Sequence, residues 1–299
     1  MRDTISAAWL VSVLLLACPL DGIASAPDSG DNDSCRIALE AGNLESAVEQ
    51  CSLAIEQSAS GSIEQVGALH NRGIALTGLG RYDEAVSDFN LAIERNPADP
   101  SIRYDRGRAY YLAGDDERAE ADYRASIQLE PENEFPHAGL GNLRARQERY
   151  EEAIAFYETA LAIEPALEPV LANRGRALSE LGRFAEAISD FSAAIRINPD
   201  PQYFRYRADA YNALREFDRA IEDYTVAIEG GAGNEAAHYN RGRAFSLTDQ
   251  FESAIEDYTA ALAINPTLVA ALTNRGLAFS SLGDQRRAME DYEAALRIE

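Results

Sequence analysis

From Asn71 to Pro97 the chain reads NRGIALTGLGRYDEAVSDFNLAIERNP, and from Asn173 to Pro199 it reads NRGRALSELGRFAEAISDFSAAIRINP. The two copies start three periods of 34 residues apart, and a fixed period of that length marks a repeat architecture. With Gly73 as position 8 of a unit, later units place Gly107, Gly141, Gly175, Ala208, Gly242 and Gly276 there. Position 20 is alanine in all seven units: Ala85, Ala119, Ala153, Ala187, Ala220, Ala254 and Ala288. Position 24 is always aromatic: Phe89, Tyr123, Tyr157, Phe191, Tyr224, Tyr258 and Tyr292. An eighth, degenerate unit precedes them, with Cys35, Ala47, Cys51 and Ala54 in the matching places.

Apolar residues recur at helical spacing, as in Ala85, Phe89, Ala92 and Ile93, so each unit is two helices, A and B. Pro97, Pro100, Pro131, Pro136, Pro165, Pro169, Pro199, Pro201 and Pro266 fall at unit boundaries, where loops and first helical turns accept them. Gly80, Gly114, Gly182 and Gly283 mark the turn from A to B. Small residues at positions 8 and 20 let the helices approach, and the aromatic at 24 fills the space beside them. Neither helix buries its apolar face alone, so units stack.

This pattern resembles the tetratricopeptide repeat (TPR) family over almost all of the chain from about Ser34 to Glu299. The resemblance implies an all-α, right-handed α-solenoid superhelix of about eight helix-turn-helix units. The expected organisation is a signal peptide over 1–26, a degenerate unit and linker over 27–65, and seven consecutive units over 66–299. Repeat four is one residue short, ending at Asp200, and repeat five ends in the four residues Gly230 to Gly233 in place of a proline, which makes it a candidate hinge.

Position 7 is Arg72, Arg106, Arg174, Arg207, Arg241 and Arg275 in six units, and position 23 of the same units is Asp88, Asp122, Asp190, Asp223, Asp257 and Asp291. Repeat three has Leu140 and Phe156 instead, and the first unit has Ser34 and Gln50. Both partners are present or both absent, which reads as a structural Arg–carboxylate bridge repeated along the chain.

The formal net charge is −23, and all 27 basic residues are arginine. Nucleic-acid binding needs a basic face, so nucleic acid is not an expected partner. Anionic lipid is equally unsuited to an acidic chain, which leaves a lipid anchor as the one route to a membrane. Residues 1–26 begin with Arg2, continue through ISAAWLVSVLLLACPL and end in DGIASA, the order of a secretory signal. Cleavage after Ala24 or Ala26 would give a soluble periplasmic protein; Leu15-Leu16-Ala17-Cys18 resembles a bacterial lipobox, with Cys18 then lipidated. Either reading requires export. Cys35 and Cys51 would then lie in an oxidising compartment at positions 8 and 24 of the first unit, where a disulfide would staple it. The alternative is two inert buried thiols.

His70, His137 and His238 sit singly in different repeats, no metal spacing is present, and no nucleophile motif or phosphate loop occurs. The expectation is a protein that is not an enzyme and takes no cofactor or metal. Family geometry puts positions 2, 5, 9, 12 and 13 of helix A on a concave groove, here with Tyr104, Arg108, Tyr111, Asn142, Arg176, Arg205, Asn212, Tyr239 and Arg243. Arginine and tyrosine are common anchors of protein partners. The expected function is a protein-binding adaptor of the bacterial cell envelope; the alternative is an accessory subunit of an envelope enzyme, such as a peptidoglycan hydrolase or glycosyltransferase system. In repeat seven, Leu272, Leu277, Phe279 and Leu282, with Ala294 and Ile298 near the edge, are expected to form an apolar surface that self-associates or docks on the partner.

Overall fold

The computed structural model describes residues 30–298, which form sixteen α-helices and no strand. They fall into two compact units divided between Pro165 and Ala166. In the first, four antiparallel hairpins pair α1 (Gly30–Glu40) with α2 (Leu44–Gln57), α3 (Ile63–Gly78) with α4 (Tyr82–Arg95), α5 (Pro100–Ala113) with α6 (Asp116–Leu129), and α7 (Glu134–Arg146) with α8 (Tyr150–Ile163). In the second, α9 (Glu168–Glu180) pairs with α10 (Phe184–Ile197), α11 (Pro201–Ala213) with α12 (Phe217–Ala227), α13 (Glu235–Leu247) with α14 (Phe251–Ile264), and α15 (Val269–Ser281) with α16 (Gln285–Ile298). Odd-numbered helices are the A helices of the repeat.

The sequence signals map onto these boundaries. Asp99 and Asp200 accept a backbone N–H in front of helices that begin with Pro100 and Pro201, a side-chain cap joined to a preset first turn. Every hairpin turns through one left-handed residue at position 15. Glycine serves at Gly42, Gly80, Gly114, Gly182 and Gly283, where positive φ carries no Cβ penalty. Glu148, Arg215 and Asp249 hold the same conformation at φ of 59°, 62° and 60° in the three remaining repeats. The hairpin geometry imposes the turn even where the residue disfavours it.

Each hairpin core is the small–aromatic contact. The seven position-20 alanines are fully buried, and a Cβ added to Gly73 would meet Phe89 Cε1 at 2.6 Å. In the first hairpin a Cys35–Cys51 disulfide occupies this place, with both residues fully buried. The four residues Gly230 to Gly233, the candidate hinge, end a π-helical turn (Ile228–Ala232) that follows α12 directly. Gly231 takes a φ of 89°, a Cβ on Gly230 would run into the Pro201 ring, and Ala232 is buried. Close packing, not slack, replaces the boundary proline.

Candidate interaction surface

The recurring charges at positions 7 and 23 of the repeat are structural. In all six arginine-bearing units, Nε and Nη2 of the position-7 arginine donate to the two oxygens of the position-23 aspartate at 2.7–2.8 Å. Each aspartate is buried. In five of these units the third guanidinium nitrogen reaches back to position 25 of the preceding B helix: Arg72 to Ser52, Arg106 to Asn90, Arg207 to Ser192, Arg241 to Thr225 and Arg275 to Thr259, at 2.6–3.0 Å. One side chain therefore fixes its own hairpin and the join to the previous one. The small polar residue at position 25 is a partner that the position-7 and position-23 covariation did not reveal.

Repeat three shows the compensation. Leu140 is buried where the arginine would stand. One turn further along α7, Arg144 donates to both oxygens of Glu120 on α6 at 2.6 and 3.0 Å, and Arg146 pairs with Asp116. Hydrogen bonds from Arg144 hold the Glu120 carboxyl far below its ordinary value, at about 2.

With those arginines engaged, other side chains make up the rest of the A-helix faces. In the first unit Tyr104 lies 5.9 Å from the Tyr123 ring and 6.0 Å from Phe135, with Arg108 one turn along. Tyr111 does not belong to this surface: it is 3% exposed, and the Arg146 guanidinium covers its ring at 3.8 Å. Asn142 is buried as well, accepting a 2.8 Å bond from the Tyr157 hydroxyl. Both are packing residues: Arg146 covers Tyr111, and the position-24 Tyr157 extends through its hairpin to Asn142 at position 9.

The second unit places more polar side chains together. The Tyr206 ring has Arg176 at 5.3 Å and Arg205 at 4.5 Å from its centre, joining α9 to α11. Arg205 is largely buried, donates to Gln202 at 2.9 Å, and lies 3.6 Å from Asp209. Asp209 accepts from the Tyr224 hydroxyl at 2.5 Å and from Asn240 of α13 at 3.3 Å. Burial pushes the Tyr224 phenol above its ordinary range, which keeps it a donor. Arg243 lies 5.9 Å from the Tyr239 ring, and Asn274 of α15 donates to the Tyr239 hydroxyl at 3.1 Å. Asn212 is half-buried on α11. The face thus runs across four A helices as a strip of arginine, tyrosine and amide groups. Tyr206, Asp209, Asn240 and Asn274 belong to it although the sequence pattern did not single them out; the sign was their recurrence at positions 6 and 9.

The histidines serve single partners: His70 meets Asp105 at 2.8 Å in a buried pair, and His238 meets Asp257 at 3.0 Å. Among the described residues no group of three His, Cys, Asp or Glu could hold a metal, and no helix is long and apolar enough to cross a membrane. In repeat seven, Leu277, Leu282 and Ile298 are exposed, whereas Leu272 packs in a core with Tyr258 and Phe279 is buried with Arg287 4.4 Å from its ring centre. Those two residues leave the expected apolar surface.

Sequence profiles of the tetratricopeptide repeat match residues 70–134, 135–167, 173–235, 235–268 and 269–299, most of the chain. The chain is a tetratricopeptide repeat protein. No curated protein sequence matches it. Among solved structures this TPR protein is similar to YrrB, described as a TPR protein with an unusual peptide-binding site (24% identity, 62% of this chain and 95% of that one, TM-score 0.56). It is also similar to pilF of Pseudomonas aeruginosa (20% identity, 69% and 94% covered, TM-score 0.63) and to a TPR protein of Parabacteroides merdae (19% identity, 83% and 97% covered, TM-score 0.56). At these identities the likeness is one of fold. The TPR fold is a protein-interaction scaffold.

Proposed function

We propose that this TPR protein is a non-catalytic adaptor of the bacterial cell envelope that receives a peptide or protein partner on its A-helix faces. The carrying observation is the strip of the second unit: Arg176, Tyr206, Asp209, Tyr239 and Arg243 stand on successive A helices and are cross-linked by hydrogen bonds and ring contacts. Rigid aromatic and arginine side chains anchor partners at little entropic cost. YrrB carries a peptide-binding site on the same fold, which supports the reading by analogy. The export reading draws on the signal-like residues 1–26, outside the described residues, and is supported by the Cys35–Cys51 disulfide, a bond favoured outside the reducing cytosol.

The test is site-specific photo-crosslinking in the native envelope. A photoreactive residue at Tyr239 or Arg243 is expected to trap a defined protein, while one at the exposed Glu256 of the B helix α14 traps none. Equal labelling from both faces, or no adduct from the A face, would overturn the proposal.

A further inference from the structure

We propose that the outer side of α16 is a docking site for an amphipathic helix of another protein. That helix carries an arginine and lies against Met289, Glu293 and Leu296 as the A helix of a further repeat would. The surface is separate from the A-helix faces, so its failure leaves the adaptor reading standing.

The chain itself shows what covers a surface of this kind. The B helices α2, α4 and α6 of the first unit, and α10, α12 and α14 of the second, each pack against the A helix that follows. Positions 21, 24 and 28 of the B helix meet that join. On α14, Leu262 at position 28 is 8% exposed and shares a core with Ala271 and Leu272 of α15; Tyr258 at position 24 is buried in the same core. On α16 the equivalent Leu296 is 72% exposed and Tyr292 is half-buried. Met289, at position 21, is 54% exposed where Ile221 and Ile255 are half-buried. Met289, Glu293 and Leu296 are spaced i, i+4 and i+7, one stripe of the helix. An apolar stripe open in this way marks an interaction surface.

Position 25 specifies the chemistry of the covering helix. It is Ser52, Asn90, Ser192, Thr225 and Thr259 where the next A helix places an arginine on it at 2.6–3.0 Å. It is Glu158 ahead of the unit of Arg174, and Arg124 ahead of repeat three, whose position 7 is Leu140. An acceptor thus stands at position 25 wherever an arginine follows, and a cation stands there where none follows. On α16 this residue is Glu293, an acceptor with a full charge. It lies 3.9 Å from Arg297 of its own helix, with both side chains exposed, and such a pair contributes little. A guanidinium brought by a covering helix would meet Glu293 as five joins already meet their acceptors, with the added strength of a charge-assisted hydrogen bond.

The occupant is therefore a cationic, amphipathic helix, and a net charge of −23 favours its approach. A second copy docked head to tail does not fit this description. It would bring α1, whose position 7 is Ser34 and whose Arg36 is engaged with Glu40.

Helix α13 supplies the probe: a labelled peptide of residues 234–248, stapled between Ala236 and Arg243, both exposed in the parent helix. The staple keeps helix formation from limiting the affinity. In fluorescence anisotropy the peptide is expected to bind the full chain through Arg241. Glu293→Arg in the chain should weaken it by about 10-fold or more, the scale of one charge-assisted hydrogen bond, and Leu296→Asp should remove it. A peptide with Arg241→Glu should bind the Glu293→Arg chain and not the parent, a rescue that also shows the variant chain to be intact. Glu256→Arg, on the exposed side of α14, should change nothing. A stapled peptide that does not bind, or one that binds the parent and Glu293→Arg chains equally, would overturn the proposal. Concentration-dependent sedimentation that Leu296→Asp abolishes would assign this side to a second copy, and would overturn it as well.

Discussion

At the scale of single residues, the repeat separates what must be kept from what can be exchanged as a set. Arg106 is bonded to Asp122 and Asn90 together, so truncating Asp122 leaves a guanidinium without its main counter-charge in a partly buried site. Breaking one side of such a pair costs about 3–5 kcal/mol when it is deeply buried, whereas replacing both sides by packed apolar groups is often near neutral. Repeat three has made that exchange with Leu140 and Phe156. Asp122→Ala is therefore expected to lower stability in urea by about 3 kcal/mol, and Arg106→Leu with Asp122→Phe by less than half as much. A double variant as unstable as the single would show that the pair stabilises by its charge, not by occupying the site. The same logic explains Glu148, Arg215 and Asp249: a left-handed turn is tolerated without glycine because the two helices it joins are already fixed by their cores.

At the scale of helices, charge pairs set how successive hairpins join. Positions 16 and 19 pair within every B-helix start except in the first and seventh hairpins, but the sign is reversed between repeats. Arg81–Glu84, Arg149–Glu152 and Arg183–Glu186 run one way; Asp115–Arg118, Glu216–Arg219 and Asp284–Arg287 run the other. Where position 19 is arginine, position 11 is aromatic and the guanidinium lies over it, as Arg118 over Tyr110 at 4.7 Å. The join of α6 to α7 instead depends on Arg144 and Glu120. Because the Glu120 carboxyl is held down at about 2, its contribution is fully present above its unfolded value of 4.5 and is lost as the pH falls through about 2. Glu120→Gln should thus cost about 2–3 kcal/mol at pH 7, and the gap to the parent chain should close between pH 5 and pH 2. A gap that stays constant over that range, followed by thermal melts, would place the effect in packing.

At the scale of the whole molecule, the hairpins are connected mainly through neighbours, so stability is a sum of local terms and a chain end can open alone. The disulfide acts on that weakness. It ties α1 to α2 where the other hairpins rely on a small residue against an aromatic ring, across a sequence separation of 16. A loop of this length is worth about 3 kcal/mol on the chain-entropy view. Reduction, or Cys35→Ser with Cys51→Ser, is expected to speed amide hydrogen exchange in α1 and α2 while the second unit keeps its protection. Exchange that rises equally in both units would show one cooperative block in place of separable hairpins. The fold itself was legible from the sequence, because the 34-residue period, the alanine at position 20 and the aromatic at position 24 are each imposed by one repeated contact. The Arg–Asp bridges were legible for the same reason: six equivalent environments turn a single chain into its own alignment. The accessible surface was not. Tyr111 and Arg176 are both arginine-or-tyrosine positions of helix A, yet one is buried beneath Arg146 and the other sits open on Tyr206. Which of them faces a partner depends on side chains 30 or more residues away in sequence, brought close only when hairpins stack. Local periodicity fixes which face of a helix is buried, and tertiary packing alone decides which polar groups on the other face already have partners.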